Sequence, residues 1–174
     1  MNICILWKEG NLGKEDTTVK IYAASSWRNS KYPGIVKLLR DAGHEVFDFQ
    51  NGGAVRFETD SFKPDHYGMF LSTRLALKAF KTDFRAMRWA EACVLILPGG
   101  KSSHLEAGWF SGCGKPCFIL ANRDIEERPE LMYALATLIT TRAEDLISAL
   151  SLYESKPVSR VTDDVKQEIG QYQH

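Results

Sequence analysis

The chain reads CVLIL at Cys93–Leu97 and PGG at Pro98–Gly100. Five apolar residues in a row, bounded by turn residues, are typical of a strand that is buried on both faces. Such strands occur mainly in parallel sheets that have helices on either side. This stretch therefore predicts a central strand of an α/β domain, with a glycine turn at its carboxyl end.

Four further apolar runs alternate with stretches of helical periodicity. The runs are Val19–Ala24, Glu45–Phe49, Pro116–Ala121 and Leu135–Ile139, and the helical stretches lie near 35–39, 72–91, 103–113 and 142–153. This alternation predicts a flavodoxin-like α/β domain with three layers and a parallel sheet of about five strands.

The length of 174 residues fits a single domain, which we place at residues 19–154. An arm or edge strand at 1–18 precedes it, and a polar tail at 155–174 follows. The segment Gln50–Tyr67 carries two glycines and a proline without a clear period. Because aperiodic loops of that length are usually functional or mobile, we predict a lid over the substrate crevice.

Charge and composition exclude several classes of function. Basic and acidic residues both number 22 and no basic face stands out, so no polynucleotide partner is expected. The apolar start of the chain is too short to span a membrane and lacks the marks of a signal peptide, which favours a cytoplasmic protein. The four cysteines form no zinc set, and neither a metal nor an organic cofactor is expected.

The glycine turn is the strongest functional signal in the sequence. Ligands of open parallel sheets bind beyond the carboxyl ends of the strands, where Gly99 and Gly100 allow a close approach to the backbone. Ser102, Ser103 and the free N–H groups of the first helical turn can hold an anion such as a phosphate. The turn therefore predicts a substrate-binding segment.

Glu106 follows this turn at the start of the predicted helix 103–113. The helix dipole is expected to favour its ionised form there, which suits a reacting carboxylate. The spacing of Ser103 and Glu106 also matches a capping box, in which both side chains only satisfy backbone donors. The sequence leaves both interpretations open.

A second candidate segment follows the strand Val19–Ala24. Ser25 begins a polar turn, Arg28 can pair bidentately with a phosphate or carboxylate, and Trp27 offers an aromatic face. We take Ser25 and Arg28 as candidate substrate-binding residues. A surface arginine beside a half-buried tryptophan is the simpler alternative.

Asp83 is the third candidate, on the helix predicted near 72–91. A row of alanines on this helix lets another element pack closely, so a carboxylate in that strip would be partly desolvated. Burial raises the pKa of a carboxyl towards the range that is useful for proton transfer. An ordinary exposed aspartate on the helix flank is the alternative.

Three blocks of sequence together resemble the nucleoside 2-deoxyribosyltransferase family and its relatives, the 2'-deoxynucleoside 5'-phosphate N-hydrolases. The blocks are Ile21–Arg28, Asp83–Val94, and Glu106–Trp109 followed by Gly114–Pro116. The resemblance implies a flavodoxin-like fold and assembly into homodimers or larger homo-oligomers.

The resemblance also implies a chemistry and assigns it to residues. Glu106 would attack the anomeric carbon, Asp83 would handle the proton at the base, and Tyr22 would line the sugar. The expected activity is cleavage or transfer of the N-glycosidic bond of a (deoxy)nucleoside or its 5'-monophosphate, without a cofactor. A carboxylate suits this reaction because positive charge builds on the sugar ring as the bond breaks.

Two departures keep alternatives open. Residue 91 is glutamate where the family usually has aspartate, and Gly99–Ser103 replaces an Asp-x-Gly-Thr-like stretch. Spacing from Pro98 to Glu106 is also similar to that of the lysine-decarboxylase-like phosphoribohydrolases, which cleave N-glycosides too. A non-catalytic nucleotide-binding sensor is the third hypothesis.

Overall fold

A computed structural model describes residues 18–52, 66–123 and 130–153 of the chain. Its five strands form one sheet in the order β2-β1-β3-β4-β5, and all four pairings are parallel. The strands are β1 (Lys20–Ala24), β2 (Glu45–Asp48), β3 (Ala92–Ile96), β4 (Cys117–Leu120) and β5 (Leu138–Thr140). The predicted parallel sheet of about five strands is thereby confirmed.

Five α-helices and one 3-10 helix lie in the described part of the chain. They are α1 (Tyr32–Asp41), α2 (Tyr67–Leu71), α3 (Arg74–Trp89), α4 (Lys101–Gly112) and α5 (Ala143–Ser151), with the 3-10 helix at Leu131–Leu135. Thr73 caps α3 by accepting the backbone N–H of Ala76. Gly43 follows α1 with a φ of 93°, a conformation that favours glycine.

Side chains of the strands alternate between two apolar layers. Ile21 and Ala23 of β1 point towards the layer formed by α1 and α5, which buries Val36, Leu39 and Leu146. The alternate residues of β1 and β3 point the other way, towards α3 and α4. They are Tyr22, Ala24, Cys93 and Leu95. The sheet therefore lies between two helical layers, which gives the three-layer architecture expected from the sequence.

Two predicted element boundaries are wrong. The fifth strand was predicted at Leu135–Ile139 but begins only at Leu138. Its pairing with β4 starts at Thr137, which exchanges hydrogen bonds with Cys117 through its backbone N–H and its side-chain hydroxyl. The residues before it form the 3-10 helix. Helix α4 begins at Lys101, two residues earlier than predicted, with Gly100 as its N-cap.

Several predictions fall partly or wholly outside the described residues. These are the lid at Gln50–Tyr67 apart from its ends, the arm at 1–18 apart from Thr18, and the tail at 155–174. Among the helices that the structure describes, none has the length and apolar content needed to cross a membrane.

Candidate active site

The candidate site lies where the sheet order changes direction. After β1 the chain crosses to β2 on one side, and β3 pairs with β1 on the other side. In an open α/β sheet this topology leaves a crevice beyond the carboxyl ends of the two central strands. Both turns singled out in the sequence, the one after Ala24 and the one after Leu97, follow strands that border this crevice.

Tyr22, Asp83 and Glu106 converge on one spot from three elements. Tyr22 lies on β1, on the sheet face that α3 and α4 cover, and its hydroxyl is near enough to the Glu106 carboxyl to lower the pKa of that group. Asp83 lies on α3 within electrostatic range of both. The three residues that the family resemblance implies as catalytic are therefore neighbours in the structure.

The environment of Glu106 differs from the one expected from the sequence. Burial is the main influence and raises the pKa of its carboxyl to about 7, helped by the nearby Asp83 charge. The hydrogen bond from Tyr22 acts in the opposite direction and lowers the pKa. The sequence led us to expect the helix dipole to favour the ionised form, whereas in the structure burial favours the protonated form.

The capping-box interpretation of Glu106 is wrong as well. Helix α4 begins at Lys101, so Glu106 lies in the second helical turn and Ser103 lies inside the first. The Ser103 hydroxyl donates to the Gly100 carbonyl at 2.7 Å, a bond that turns it towards the loop. Glu106 therefore has no capping role, and its carboxyl faces Tyr22 and Asp83.

Asp83 is desolvated, as the sequence suggested. Burial raises the pKa of its carboxyl to about 6. Its Oδ1 atom is buried and has no hydrogen-bond partner. A buried carboxyl oxygen without a partner is costly, and a ligand that donates or accepts a proton there would relieve that cost.

Aromatic rings hold Tyr22 in place on both sides. Its ring stacks on Phe47 of β2 at 5.5 Å between centroids and contacts Phe110 of α4 at 5.7 Å. Burial and the two neighbouring carboxyls raise the pKa of the Tyr22 hydroxyl well above its usual range. The hydroxyl is therefore a permanent donor towards Glu106.

The turn after β1 is locked to the end of β3 by two side chains. The Ser25 hydroxyl donates to the Ile96 carbonyl at 2.7 Å, and the Asn29 amide donates to the Ser25 oxygen at 3.0 Å and to Ile96 at 3.3 Å. Sequence reasoning missed Asn29, although its place four residues after Ser25 in a polar turn could have suggested such a contact. Ser25 shapes the crevice, and its role in substrate binding stays a prediction.

Gly99 is needed because the helix start packs against it. A Cβ atom at this position would lie 2.8 Å from the Ser103 oxygen and 2.8 Å from Cε1 of His104. The His104 Nδ1 donates to the Gly100 carbonyl at 2.7 Å, which leaves its Nε2 to accept the Tyr133 hydroxyl at 2.9 Å. Tyr133 was not recognised in the sequence because it lies almost thirty residues away.

Arg28 and Ser102 are the exposed members of the predicted substrate-binding set. Among the described residues, the Arg28 guanidinium takes part in no hydrogen bond or ion pair, although the Arg28 backbone N–H bonds the Ser26 hydroxyl. The sequence indicated an anion contact for Arg28 and another for the glycine turn, and the structure records no direct contact between the two segments. Both side chains remain available to an anion that enters the crevice.

Lys115 fixes the end of the helix that carries Asp83. Its ammonium group donates to the carbonyls of Met87 and Arg88, each at 3.2 Å, and to that of Ala90. A lysine at the carboxyl end of a helix satisfies free carbonyls and complements the helix dipole. The Gly114–Pro116 block thereby contributes to the position of α3.

Within residues 18–52, 66–123 and 130–153, no cluster of His, Cys, Asp and Glu is arranged to hold a metal ion. Cys93 and Cys117 lie directly opposite one another on β3 and β4 as buried free thiols.

Comparisons with known proteins show a shared fold. No family model and no curated protein matches the sequence. A 2-deoxyribosyltransferase from Bacillus psychrosaccharolyticus aligns over 77% of this chain and 91% of its own, at 22% identity and a TM-score of 0.55. A conserved protein from Enterococcus faecalis V583 aligns over 76% and 97%, at 13% identity and a TM-score of 0.51.

A CMP N-glycosidase from Clostridium botulinum aligns over 76% of this chain and 98% of its own, at 17% identity. Its TM-score of 0.43 is too low to support a conclusion. Likenesses at these identities establish the three-layer α/β fold. Since one fold hosts many activities, function has to be argued from the site.

Proposed function

We propose that this protein cleaves or transfers the N-glycosidic bond of a (deoxy)nucleoside or its 5'-monophosphate, with Glu106 as the nucleophile. One observation carries the proposal: two carboxyl groups and a tyrosine hydroxyl meet at the crevice, and both carboxyls have a pKa raised towards neutrality. Perturbed carboxyl pairs of this kind are typical of general acid and nucleophile pairs in glycoside chemistry.

In the first step the Glu106 carboxylate attacks the anomeric carbon. The bond between that carbon and the base nitrogen breaks, and its electron pair leaves with the base. Asp83, as the acid, gives a proton to the departing base, which lowers the barrier to its release. The Tyr22 hydroxyl lowers the pKa of Glu106 and so favours the ionised form that acts as the nucleophile.

This step needs the carboxyl pair to hold one proton, on Asp83. In the free chain the pKa of Glu106 is about 7 and that of Asp83 is about 6, so the two groups titrate as a pair close to neutral pH. A bound base offers a proton acceptor to Asp83, and the sugar brings developing positive charge to Glu106. Both effects favour a protonated Asp83 and an ionised Glu106.

In the second step an acceptor releases the sugar from Glu106. Water would give hydrolysis, and a second base would give transfer, with Asp83 taking a proton from either. An incubation with nucleosides and their monophosphates, followed by chromatography of the free base with and without a second base, separates these outcomes.

A 5'-phosphate is the substrate feature that we assign to Arg28, Ser102 and the first turn of α4. Arg28 is exposed and unpaired within the described chain, and the free N–H groups at a helix start favour an anion. A charge-assisted contact contributes about 1.5–3 kcal/mol, or roughly a ten- to hundredfold gain in affinity. Monophosphates should therefore outcompete nucleosides, and Arg28→Ala should remove most of that preference.

The decisive test of the catalytic proposal is Glu106→Ala. We expect loss of base release while substrate binding, measured by calorimetry, is largely kept, because the carboxylate acts on the anomeric carbon. Glu130→Ala, at an exposed glutamate, serves as the matched control and should keep full activity. Binding without base release in the unmutated chain would instead identify a nucleotide sensor.

We further propose that the protein is a cytoplasmic homodimer or larger homo-oligomer. Support for assembly comes from large apolar side chains that stand exposed on α2 and α3, among them Met69, Leu71 and Phe80. An exposed apolar surface of this kind usually marks a contact with another protein.

A further inference from the structure

An open groove lies beside β2, the strand at one edge of the sheet. It has a volume of about 750 Å³ and lies between the edge strand, the end of α1 and the flank of α3. Apolar walls come from Val46, Phe47, Ala86 and Trp89, and the charged side chains of the lining are Arg40, Arg85 and Glu45. Arg40 is already paired with Asp48, so Arg85 is the basic group of the lining with no ion pair among the described residues.

The chain enters the sheet at the amino end of this groove. The Val19 N–H donates to Nδ1 of His44, and the Lys20 ammonium lies 6.0 Å from the centre of the Trp89 ring. His44 and Trp89 both line the groove. The first described part of the chain therefore lies beside the groove.

His44 carries a second sign that the groove is incomplete. Since its Nδ1 accepts the Val19 N–H, its proton lies on Nε2, and burial lowers the pKa of the ring and keeps it neutral. That Nε2 is buried without any hydrogen-bond partner. A peptide segment laid over His44 would bring backbone carbonyls that can accept this proton.

We propose that the groove receives the N-terminal segment Ile3–Trp7 of the same chain. This segment reads ICILW and has to bury its apolar side chains. The linker 8–17 extends to roughly 33 Å at about 3.3 Å per residue, which exceeds the length of a four-residue strand. Glu15 and Asp16 lie shortly before the entry point in the sequence, and their charges complement Arg85 in the groove.

Docking of this segment would also act on the active site. Phe47 lines the groove and stacks on Tyr22 at 5.5 Å. A segment that covers Phe47 would hold this ring against Tyr22 and so support the hydroxyl that bonds Glu106.

Cys4 allows a direct test, because it lies within the segment. In full-length protein with the exposed Cys113 replaced by serine, Arg85→Cys adds a thiol in the groove, and Arg88→Cys adds one to the same helix outside it. Under mild oxidation we expect a disulfide from Cys4 to position 85 within one chain, formed at least about tenfold faster than to position 88. Peptide mass analysis and non-reducing electrophoresis identify the bond.

Equal rates for the two variants, or no bond to position 85, would overturn the proposal. A bond that joins two chains would overturn it too, since the occupant would then be the arm of a second copy. Deletion of residues 1–17 gives an independent readout: amide hydrogen exchange at Val46 and Phe47 should rise. Unchanged exchange there would contradict docking in the groove.

Discussion

At the scale of single residues, Tyr22 influences the pKa of Glu106, the proposed nucleophile. Its hydrogen bond lowers the pKa of Glu106, whereas burial and Asp83 raise it. Tyr22→Phe removes this bond, which contributes about 0.5–1.5 kcal/mol, so the pKa of Glu106 should rise by roughly 0.4–1 unit. The limb of the kcat/KM profile that reports ionisation of Glu106 should move to higher pH by that amount. An unmoved limb, with only a uniform loss of rate, would show that the hydroxyl does not act through Glu106.

Glu106 should also make stability depend on pH. The pKa of its carboxyl is raised from 4.5 to about 7 in the folded chain, so in this window the folded state holds a proton that the unfolded state has lost. Unfolding therefore becomes easier as pH rises through the window. Glu106→Gln lacks this effect. The difference in melting temperature between this variant and the unmutated chain should therefore shift in favour of the variant by a few degrees from pH 5 to pH 8. Glu130→Gln, at an exposed site, should show no such trend.

At the scale of elements, the start of α4 depends on a missing side chain. Gly99→Ala would force the Cβ against Ser103 and His104, which overpacks the helix start and should cost about 1–3 kcal/mol of unfolding free energy. Gly108→Ala is the matched control, because a Cβ there meets nothing within 4 Å and alanine favours the helix by roughly 0.5–1 kcal/mol. Urea unfolding of both variants should give opposite signs. Two variants of equal stability would contradict the packing argument.

Local pattern predicted most of these elements but not all of their ends. The run Cys93–Leu97 and its glycine turn identified β3 and the crevice because apolar continuity and turn residues are local signals. The start of β5 depends on Thr137 bonding Cys117, and the contact of His104 depends on Tyr133; both are long-range contacts. The same limit explains Glu106: its position was predictable, whereas its raised pKa depends on packing that no local pattern records.

At the scale of the whole molecule, the exposed apolar surface of α2 and α3 should bury itself in an assembly. Light scattering is expected to give at least twice the 19.6 kDa of one chain. Phe80→Glu places a charge on this surface and should shift the mass towards the monomer, because an unpaired charge is costly in an apolar interface. Leu38→Glu, on α1 at the opposite face of the sheet, serves as the control and should leave the mass unchanged. A monomeric mass for the unmutated chain at micromolar concentration would refute assembly.

The alanine row of α3 limits how the sequence of this protein can evolve. Ala76, Ala79, Ala86 and Ala90 are buried, and they let the helix lie close to its neighbours, so that Asp83 reaches Glu106. A larger side chain at Ala86 would add apolar contacts, yet it would lift the helix and separate the two carboxyls. Under the proposed function, selection for turnover would therefore keep this row small even where compensating changes let the fold accept a larger residue. Sequences drifting without substrate should lose these alanines before they lose the fold.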